Sequence, residues 1–321
     1  MAFFDLPLSQ LESYLPARHE PADFDAFWSE TLASARAHQM VPVFEPYDCG
    51  LTAQDVYDVT FAGFDGQSIR AWLMVPKHAR KPMPCVVEYL GYGGGRGFPT
   101  NYTLISSAGF AHFIMDTRGQ GSAWQRGDTP DTGASGEPQF PGFLTRGLSA
   151  PSEHYYRRVF TDAVRAVEAA RSHPDIDGRI VVSGGSQGGG ISLAVAGLVD
   201  DLTAIWADQP FLCQYRRAAT ITDAAPYSEL ARYLAQHADM VERAFGTLDY
   251  LDGVNFAARA NAPAHFSVGL MDATCPPSTI YAAYNHYAAD KSMSVYQFNG
   301  HDGGGAFGVR EKIAWLHEVL G

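Results

Sequence analysis

The sequence predicts a single α/β domain built on a mostly parallel sheet with helices on both faces. Two observations support this fold class. A β-hairpin pattern opens the domain, and after it short apolar runs alternate with amphipathic stretches of helical periodicity. The 321 residues show no internal repeat and no dividing linker, and their 46% apolar and 18% charged content is ordinary for a globular protein. We therefore predict that residues 1–321 form one domain.

The first part of the chain is predicted to be an extension, covering residues 1–50, that precedes the main domain. Within it, aromatic and apolar side chains at helical spacing predict a helix over residues 23–37. The hairpin follows, with β-rich runs at residues 56–61 and 68–76. A turn at residues 64–67, which contains an Asp-Gly pair, joins these two strands.

The rest of the fold is predicted from the alternation of strand-like and helix-like segments. The candidates for short buried strands are residues 84–90, 110–116, 179–184, 202–208, 264–271 and 292–298. The candidate helices between and after them are residues 155–172, 191–199, 278–289 and 308–320. With the hairpin, these segments make about eight strands, which is the arrangement of the α/β-hydrolase fold.

Two segments interrupt the alternation. Residues 119–151 are rich in Gly, Pro, Asp and Ser, which predicts a long ordered loop. Residues 211–261 are aromatic and charged, and we predict that they form a helical insertion after the sixth strand. Both segments leave the sheet at the carboxyl ends of its strands, where open α/β sheets bind ligands. They are therefore expected to shape a substrate pocket.

A candidate nucleophile lies in the pentapeptide Gly184-Gly-Ser186-Gln-Gly188, which matches the pattern Gly-x-Ser-x-Gly. The pattern alone is weak in a chain with 32 glycines, so its context decides. A predicted strand precedes it and a predicted helix follows it, which is the context of a nucleophile elbow. There the serine hydroxyl is exposed at the top of the sheet and beside a helix amino terminus, which favours negative charge. A purely structural glycine turn is the alternative.

A serine hydroxyl needs a neighbouring base to remove its proton, and eleven histidines are available. In the α/β-hydrolase fold the chain order is serine, acid and histidine, so the base should follow the last strand. His301 lies there, in a loop between the last strand and the last helix. His286 and His317 lie inside predicted helices, where packed or solvated histidines are expected. We therefore predict that His301 is the general base.

The acid of such a triad should follow the penultimate strand, and Asp272 occupies that position. Its role would be to hold the imidazole in the productive tautomer and to stabilise the imidazolium. Asp208, at the end of the preceding strand, and Asp302, beside the histidine, are the alternatives. A side chain adjacent in sequence usually points away from its neighbour, so Asp302 is predicted to be structural.

Acyl transfer also needs hydrogen-bond donors for the developing oxyanion. One donor should be the backbone N–H of Gln187, the residue after the nucleophile. The other should come from the glycine-rich loop after the third strand, and we assign it to the N–H of Tyr92. The sequence has no phosphate-binding Gly-x-x-x-x-Gly-Lys loop, no His-Glu-x-x-His motif and no cysteine cluster. We therefore predict neither a cofactor nor a metal.

Charge and segment composition restrict the partners. The formal net charge of −12 disfavours nucleic acid and anionic membranes, because both attract basic surfaces. No apolar stretch approaches the roughly 20 residues of a membrane span, and the amino terminus lacks the basic region of a secretory signal. The four cysteines are scattered, which is typical of free buried thiols in a reducing compartment. A cytoplasmic location is expected.

Three motifs in this order resemble the acetyl xylan esterase and cephalosporin-C deacetylase family, the seventh carbohydrate esterase family. They are Arg118-Gly119-Gln120, the Gly184–Gly188 pentapeptide with its central Ser-Gln, and the pair His301-Asp302. Longer stretches with the same resemblance are residues 155–168, 210–213, 252–259, 268–272 and 275–278. The resemblance covers nearly the whole chain. One departure is Asp302, since the family usually has Glu after the histidine.

The resemblance implies a deacetylase that acts on short acetylated xylo-oligosaccharides and on the acetyl group of cephalosporin C. It also implies a cytoplasmic, ring-shaped homohexamer whose active sites face an inner cavity. Arg118 and Gln120 are interpreted as structural support near the catalytic loops, because a guanidinium can satisfy several carbonyls or carboxylates. Asp302 is interpreted as an anchor of its loop.

Three other interpretations stay open. The first is a serine peptidase on the same fold, because a triad does not choose between esters and amides; a propeller domain would favour it, and the chain has no room for one. The second is a short-chain esterase of broader specificity. The third is a non-catalytic binding protein, which a complete triad argues against.

Overall fold

The computed structural model describes residues 3–132 and 142–321, and in this part of the chain nine strands form one twisted sheet. The strands are β1 (Val43–Pro46), β2 (Gln54–Ala62), β3 (Ser68–Pro76), β4 (Met83–Tyr89), β5 (Ala111–Met115), β6 (Ile176–Gly185), β7 (Ala204–Asp208), β8 (Ala264–Gly269) and β9 (Lys291–Tyr296). Their spatial order is β1-β2-β3-β5-β4-β6-β7-β8-β9. The pairs from β1 to β5 along this order are antiparallel, and every pair from β5 to β9 is parallel.

Helices cover both faces of the sheet. They are α1 (Leu8–Leu11), α2 (Phe24–Arg36), α3 (Thr103–Ser107), α4 (Tyr155–Arg171), α5 (Gln187–Leu198), α6 (Tyr215–Ile221), α7 (Tyr227–Gln236), α8 (Val241–Leu248), α9 (Gly253–Ala257), α10 (Pro277–His286) and α11 (Ala306–Leu320). This alternation is that of an α/β-hydrolase fold, as the sequence predicts. No helix in residues 3–132 and 142–321 is both long enough and apolar enough to cross a membrane.

The core is built on rows of apolar side chains that the strand register aligns. One row crosses the sheet through Leu73, Phe113, Val87, Val182 and Ile205, which belong to five neighbouring strands. All five side chains are fully buried in the main hydrophobic cluster. Central parallel strands are covered on both faces, which explains why these segments are near-continuous apolar runs in the sequence.

The extension is joined to the rest of the domain rather than standing apart from it. Helix α2 buries Phe24 and Trp28, and the Trp28 indole N–H donates to the Tyr250 carbonyl at 3.0 Å. The predicted helix over residues 23–37 is therefore correct to within one residue at each end. Strand β1 also lies within the predicted extension and was not expected, because its four residues are mostly exposed and show no apolar alternation.

One strand differs in character from its prediction. The segment at residues 292–298 was expected to be a buried strand, whereas β9 is the outer strand of the sheet and most of its side chains are half-buried or exposed. Only one neighbour, β8, pairs with it. A strand at a sheet edge has solvent beside it, so an apolar run of this length does not require burial.

The two irregular segments leave the sheet at the carboxyl ends of its strands. Residues 211–261 contain α6, α7, α8 and α9, in agreement with the predicted helical insertion. The predicted ordered loop at residues 119–151 contains no helix or strand in its described portions, 119–132 and 142–151; residues 133–141 lie outside the described residues. All four cysteines are free, three of them buried and Cys49 partly buried.

Candidate active site

Ser186 lies at the sharp turn between β6 and α5, with φ 55° and ψ −117°. Residues other than glycine rarely adopt a positive φ, so the surrounding structure must hold Ser186 in this conformation. A Cβ atom on Gly188 would lie 2.0 Å from the Tyr89 carbonyl oxygen, and one on Gly184 would lie 2.5 Å from the Gly188 carbonyl carbon. The two outer glycines of the pentapeptide are therefore required for the close packing of β4, β6 and α5.

Asp272 and His301 are brought together from two different loops. The His301 Nδ1 atom lies 2.7 Å from Asp272 Oδ2. Asp272 is fully buried, and its other carboxylate oxygen accepts the backbone N–H groups of Thr274 at 2.8 Å and Cys275 at 3.0 Å. Because a carboxylate accepts hydrogen bonds, Nδ1 carries the proton and Nε2 of His301 keeps its lone pair.

Ser186 and His301 line the same pocket of about 360 Å³. Its other lining residues are Gly91, Tyr92, Trp124, Ala225, Pro226 and Thr274. The pocket therefore combines the glycine-rich loop after β4, the 119–151 loop, the insertion and both loops of the Asp272–His301 pair. These segments converge at the carboxyl ends of the parallel strands, where the sequence predicts the site.

The two N–H groups predicted to bind an oxyanion are free to do so. In the described part of the chain, neither the Tyr92 N–H nor the Gln187 N–H donates a hydrogen bond to a protein group. The Gln187 N–H is the first of α5, so the helix geometry leaves it without an internal acceptor. The adjacent Gly93 N–H is occupied, since it donates to the Gln120 side chain at 2.6 Å.

A buried amide pair connects the two segments that carry these N–H groups. The Gln120 Nε2 atom donates to Gln187 Oε1 at 2.7 Å, while Gln120 Oε1 accepts from the glycine-rich loop. Gln187 in turn donates to the Leu90 carbonyl at 3.0 Å and accepts from the Tyr156 hydroxyl at 2.8 Å. Gln120 therefore occupies a supporting position behind the pocket.

Arg118 and Asp162 form a buried ion pair near this network. The Arg118 Nη2 atom donates to Asp162 Oδ1 at 2.6 Å, and both side chains are about 1% exposed. Asp162 also accepts the Phe64 N–H at 2.8 Å, and Arg118 donates to Gln67 Oε1 at 3.0 Å. Burial raises the pKa of Asp162 even though the Arg118 charge and hydrogen bonds oppose it. The pair fixes the hairpin turn against α4.

The alternative acids and bases are engaged elsewhere. Asp208 accepts from the Ser267 hydroxyl at 2.9 Å, and the exposed Asp302 side chain accepts from the Asn299 amide at 2.8 Å. His286 contacts the Pro16 carbonyl oxygen at 2.7 Å, and His317 packs against an aromatic ring. Among the three candidate acids, only Asp272 contacts His301.

Two features of the site were not anticipated from the sequence. Cys275 lies beside the Asp272–His301 pair. Its Sγ atom is within 4.8 Å of a carboxylate oxygen of Asp272 and of a ring nitrogen of His301. Burial raises the pKa of the Cys275 thiol well above its usual value, which disfavours the thiolate needed for nucleophilic attack or metal binding. Trp124 lies at the pocket and donates to the Tyr92 carbonyl at 2.8 Å. A lone tryptophan in a glycine-rich loop was the available sequence signal.

Tyr92 is also held by the insertion, through a contact that no local pattern indicates. Its hydroxyl lies 2.8 Å from both carboxylate oxygens of Glu229 on α7, and it accepts the Phe143 N–H at 2.6 Å. Glu229 is 8% exposed, and burial raises its pKa, although the Tyr92 hydrogen bond opposes this. The glycine-rich loop, which carries one of the two predicted oxyanion donors, is therefore anchored to a helix 137 residues away in the sequence.

Comparisons with known proteins identify the family to which this chain is similar. The family model described as acetyl xylan esterase (AXE1) matches residues 1–319. The acetyl esterase Axe7A of Xylanibacter ruminicola is 31% identical over 294 residues, which are 89% of this chain and 64% of that protein. The chain thus spans less than two thirds of this curated relative.

Two solved structures are similar over almost their full length. The acetyl xylan esterase from Paenibacillus sp. R4 shares 35% identity and a TM-score of 0.93, covering 98% of this chain and 100% of that one. Acetyl xylan esterase 1 from Thermoanaerobacterium sp. JW/SL YS485 shares 30% identity and a TM-score of 0.91, covering 99% and 100%.

Proposed function

The chain belongs to the acetyl xylan esterase (AXE1) family, and we propose that it is a serine carboxylic-ester hydrolase that removes acetyl groups from small substrates. The proposed substrates are acetylated xylo-oligosaccharides and cephalosporin C. The observation that carries the proposal is the contact of the buried Asp272 with His301, which lines the same pocket as the strained Ser186.

The proposed reaction begins when His301 Nε2 takes the Ser186 hydroxyl proton and Oγ attacks the acetyl carbonyl carbon. The bond to the alcohol oxygen then breaks, and the imidazolium gives its proton to that oxygen. The product is an acetyl-enzyme on Ser186. The same Nε2 then takes a proton from a water molecule, whose oxygen attacks the acetyl carbon. The bond to Ser186 Oγ breaks, the imidazolium returns the proton to Oγ, and acetate leaves. Throughout, Asp272 stabilises the imidazolium through its 2.7 Å contact with Nδ1.

Negative charge develops on the carbonyl oxygen in both steps, and the free N–H groups of Tyr92 and Gln187 are the proposed donors. In comparable enzymes, the loss of one such donor costs about a hundredfold to a thousandfold in rate. The Gln120–Gln187 amide pair and the Glu229–Tyr92 contact support this hypothesis, because they restrain the two segments that carry the donors.

We assign the acyl side of the pocket to the part lined by Ala225, Pro226 and Thr274, of which the first two are apolar. The proposal is that the acetyl methyl packs against these residues and that longer acyl chains are accommodated less well. Each added methylene changes discrimination by only about 1–3 kcal/mol. The proposed selectivity is therefore steep with acyl length but not absolute.

Initial rates on p-nitrophenyl acetate, butyrate and octanoate, beside an acetylated xylo-oligosaccharide, test this proposal. We expect kcat/KM to fall steadily from acetyl onwards and the oligosaccharide to be deacetylated. A flat acyl-length profile would instead favour the broader short-chain esterase. Faster cleavage of an acylated peptide anilide than of the matching ester would favour the serine peptidase.

The location and assembly remain proposals as well. Family membership supports a cytoplasmic protein that assembles as a homohexamer, acts on small acetylated molecules and has neither nucleic acid nor membrane as a partner. The acidic net charge of −12 supports the proposal that neither nucleic acid nor a membrane is a partner, because a surface of this sign repels polyanions. We propose that neither cofactor nor metal takes part in the reaction.

A further inference from the structure

A second cavity, of about 530 Å³, adjoins the catalytic pocket. The two spaces share Gly91, Trp124 and His301. The second cavity then extends between α3, α11 and the carboxyl ends of β4 and β7. Its volume falls within the range of about 300–1,000 Å³ that is typical of small-molecule sites.

Charged groups of both signs line this cavity and have unused hydrogen-bonding capacity. Lys312 of α11 is 16% exposed, and its ammonium lies 3.6 Å from Asp208 Oδ2 at the end of β7. Among the described residues, Lys312 Nζ donates no hydrogen bond, so its three N–H donors are available. Asp208 uses only Oδ1, which accepts from Ser267 at 2.9 Å.

Glu88 of β4 adds a second acceptor. Its Oε2 atom lies 2.7 Å from His112 Nε2, and Oε1 has no hydrogen-bond partner in the described part of the chain. Burial acts to raise the pKa of Glu88, but the His112 hydrogen bond and the charges of His112 and Lys312 outweigh it, and the pKa lies below its usual value. The cavity is therefore lined by three acidic side chains, Glu88, Asp208 and Asp302, and by the amino group of Lys312.

This lining selects a chemical class of ligand. An excess of acidic side chains disfavours an anion, and an apolar ligand would leave the charged atoms without hydrogen bonds. Hydroxyl groups satisfy both kinds of charged side chain, since a hydroxyl can donate to a carboxylate and accept from an ammonium. The remaining wall includes the apolar side chains of Leu104, Ile105 and Trp124, against which the C–H face of a sugar ring can pack.

The position of the cavity matches the alcohol half of an ester. In the proposed reaction His301 Nε2 protonates the departing alcohol oxygen, so the alcohol must lie beside His301. We propose that this cavity binds a polyhydroxylated alcohol, a sugar unit, and that Lys312, Asp208 and Glu88 determine specificity for it. The inference rests on the proposed esterase function and adds the binding groups for the leaving alcohol.

Replacement of Lys312 by Met tests the proposal through a comparison of two acetyl esters. The K312M loss in kcat/KM is expected to be about tenfold larger for acetylated xylobiose than for phenyl acetate, mainly through KM. Lys312→Arg keeps the charge and should restore part of the difference. Lys77→Met, which removes an exposed lysine outside the cavity, should leave both rates at the wild-type level. Equal losses on the two esters, or no loss, would overturn the proposal.

A binding measurement without turnover gives a second readout. Ser186→Ala protein titrated calorimetrically with xylobiose should bind it, and the double variant with Lys312→Met should bind at least about tenfold more weakly. Absence of xylobiose binding would contradict the subsite. Wild-type cleavage of phenyl acetate but not of acetylated xylobiose would overturn the subsite and the sugar substrate, while ester hydrolysis at Ser186 would stand. Cleavage of neither ester would remove the esterase function itself, and the inference with it.

Discussion

At the residue scale, each of the three side chains at the proposed centre depends on a different constraint. Ser186 needs a backbone conformation that costs on the order of 1–3 kcal/mol, which the close packing of Gly184 and Gly188 maintains. Asp272 is fully buried and is compensated by two backbone N–H groups and one imidazole. His301 remains 31% exposed, so it can reach substrate while its tautomer is held from the buried side.

The first prediction concerns the nucleophile. Ser186→Ala should lower kcat by about a thousandfold or more, because only binding and the oxyanion donors would remain. Ser183→Ala is a matched control on the same strand, since the buried Ser183 hydroxyl has no hydrogen-bond partner in the described structure. Steady-state rates with p-nitrophenyl acetate and circular dichroism spectra would be compared. An S186A variant that keeps a tenth of the wild-type rate would exclude this nucleophile.

The second prediction separates the two acids near His301. Asp272→Asn should reduce kcat/KM by roughly a thousandfold or more, because an amide neither stabilises the imidazolium nor enforces the productive tautomer. Asp302→Asn should cost less than about tenfold, since the Asp302 side chain contacts Asn299 and not the histidine. Both variants would be assayed with the same acetyl ester. Similar losses in the two would mean that the acid is wrongly assigned.

At the element scale, the glycine-rich loop that carries Tyr92 is held by elements distant in sequence. Glu229 on α7 fixes the Tyr92 side chain, and the 119–151 loop fixes the Tyr92 carbonyl through Trp124. The ring of Tyr92 also packs edge-on against Phe143 and Phe211. The insertion therefore restrains the glycine-rich loop as well as covering the sheet, because movement of α7 would displace Tyr92.

The third prediction removes this contact. Tyr92→Phe should lower the free energy of unfolding by about 1–3 kcal/mol, because Glu229 and the Phe143 N–H lose a buried partner. It should also lower kcat, although the Tyr92 N–H remains. Tyr284→Phe is the control, since the hydroxyl of this half-buried tyrosine has no hydrogen-bond partner among the described residues. Urea unfolding measures the change; equal effects of the two substitutions would contradict the anchoring role.

The fourth prediction concerns the pH dependence of stability. Burial raises the pKa of Glu229, so the folded protein binds this proton more tightly than the unfolded chain does. The resulting stabilisation is present below the unfolded pKa and is lost as the pH rises through the folded pKa. Glu229→Gln should remove this component, so its free energy of unfolding relative to wild type should rise with pH. A pH-independent difference in urea midpoints from pH 4 to pH 8 would contradict it.

At the scale of the whole molecule, large apolar side chains remain exposed around the active-site mouth. Trp124 is 59% exposed, Leu104 48% and Phe307 67%. Each lines one of the two cavities or lies beside a residue that does. Exposed apolar surface of this kind is typical of contact with another protein chain or with a ligand. It is compatible with the proposed assembly in which active sites face an enclosed space.

The fifth prediction joins assembly to substrate size. Light scattering coupled to size-exclusion chromatography should give the mass of six subunits, and acetylated xylo-oligosaccharides should be cleaved much faster than polymeric acetylated xylan. The reason is steric, since a polymer cannot enter an enclosed cavity. Acetate release from both substrates at equal acetyl concentration is the measurement. A monomer that deacetylates intact polymer at the oligosaccharide rate would refute the enclosure, although the Ser186 chemistry would survive it.

The sequence by itself determined the fold class, the elbow and the chain order of Ser186, Asp272 and His301. These features depend on local periodicity, on glycines at a turn and on the order of strands, all of which are encoded within short segments. The edge position of β9 and the presence of β1 were not determined in this way. Exposure at a sheet edge depends on which strands pair, and that is a property of the assembled sheet.

Only the tertiary structure decided which acid reaches His301. Asp208, Asp272 and Asp302 all follow or flank predicted strands, and the register and loop paths alone place Asp272 at 2.7 Å from the imidazole. The Glu229–Tyr92 contact spans 137 residues and leaves no periodic signal in the sequence. The cavity around Lys312 likewise leaves no periodic signal in the sequence. Its charged groups come from β4, β7 and α11, and their proximity follows from the packing of a helix against the strand ends.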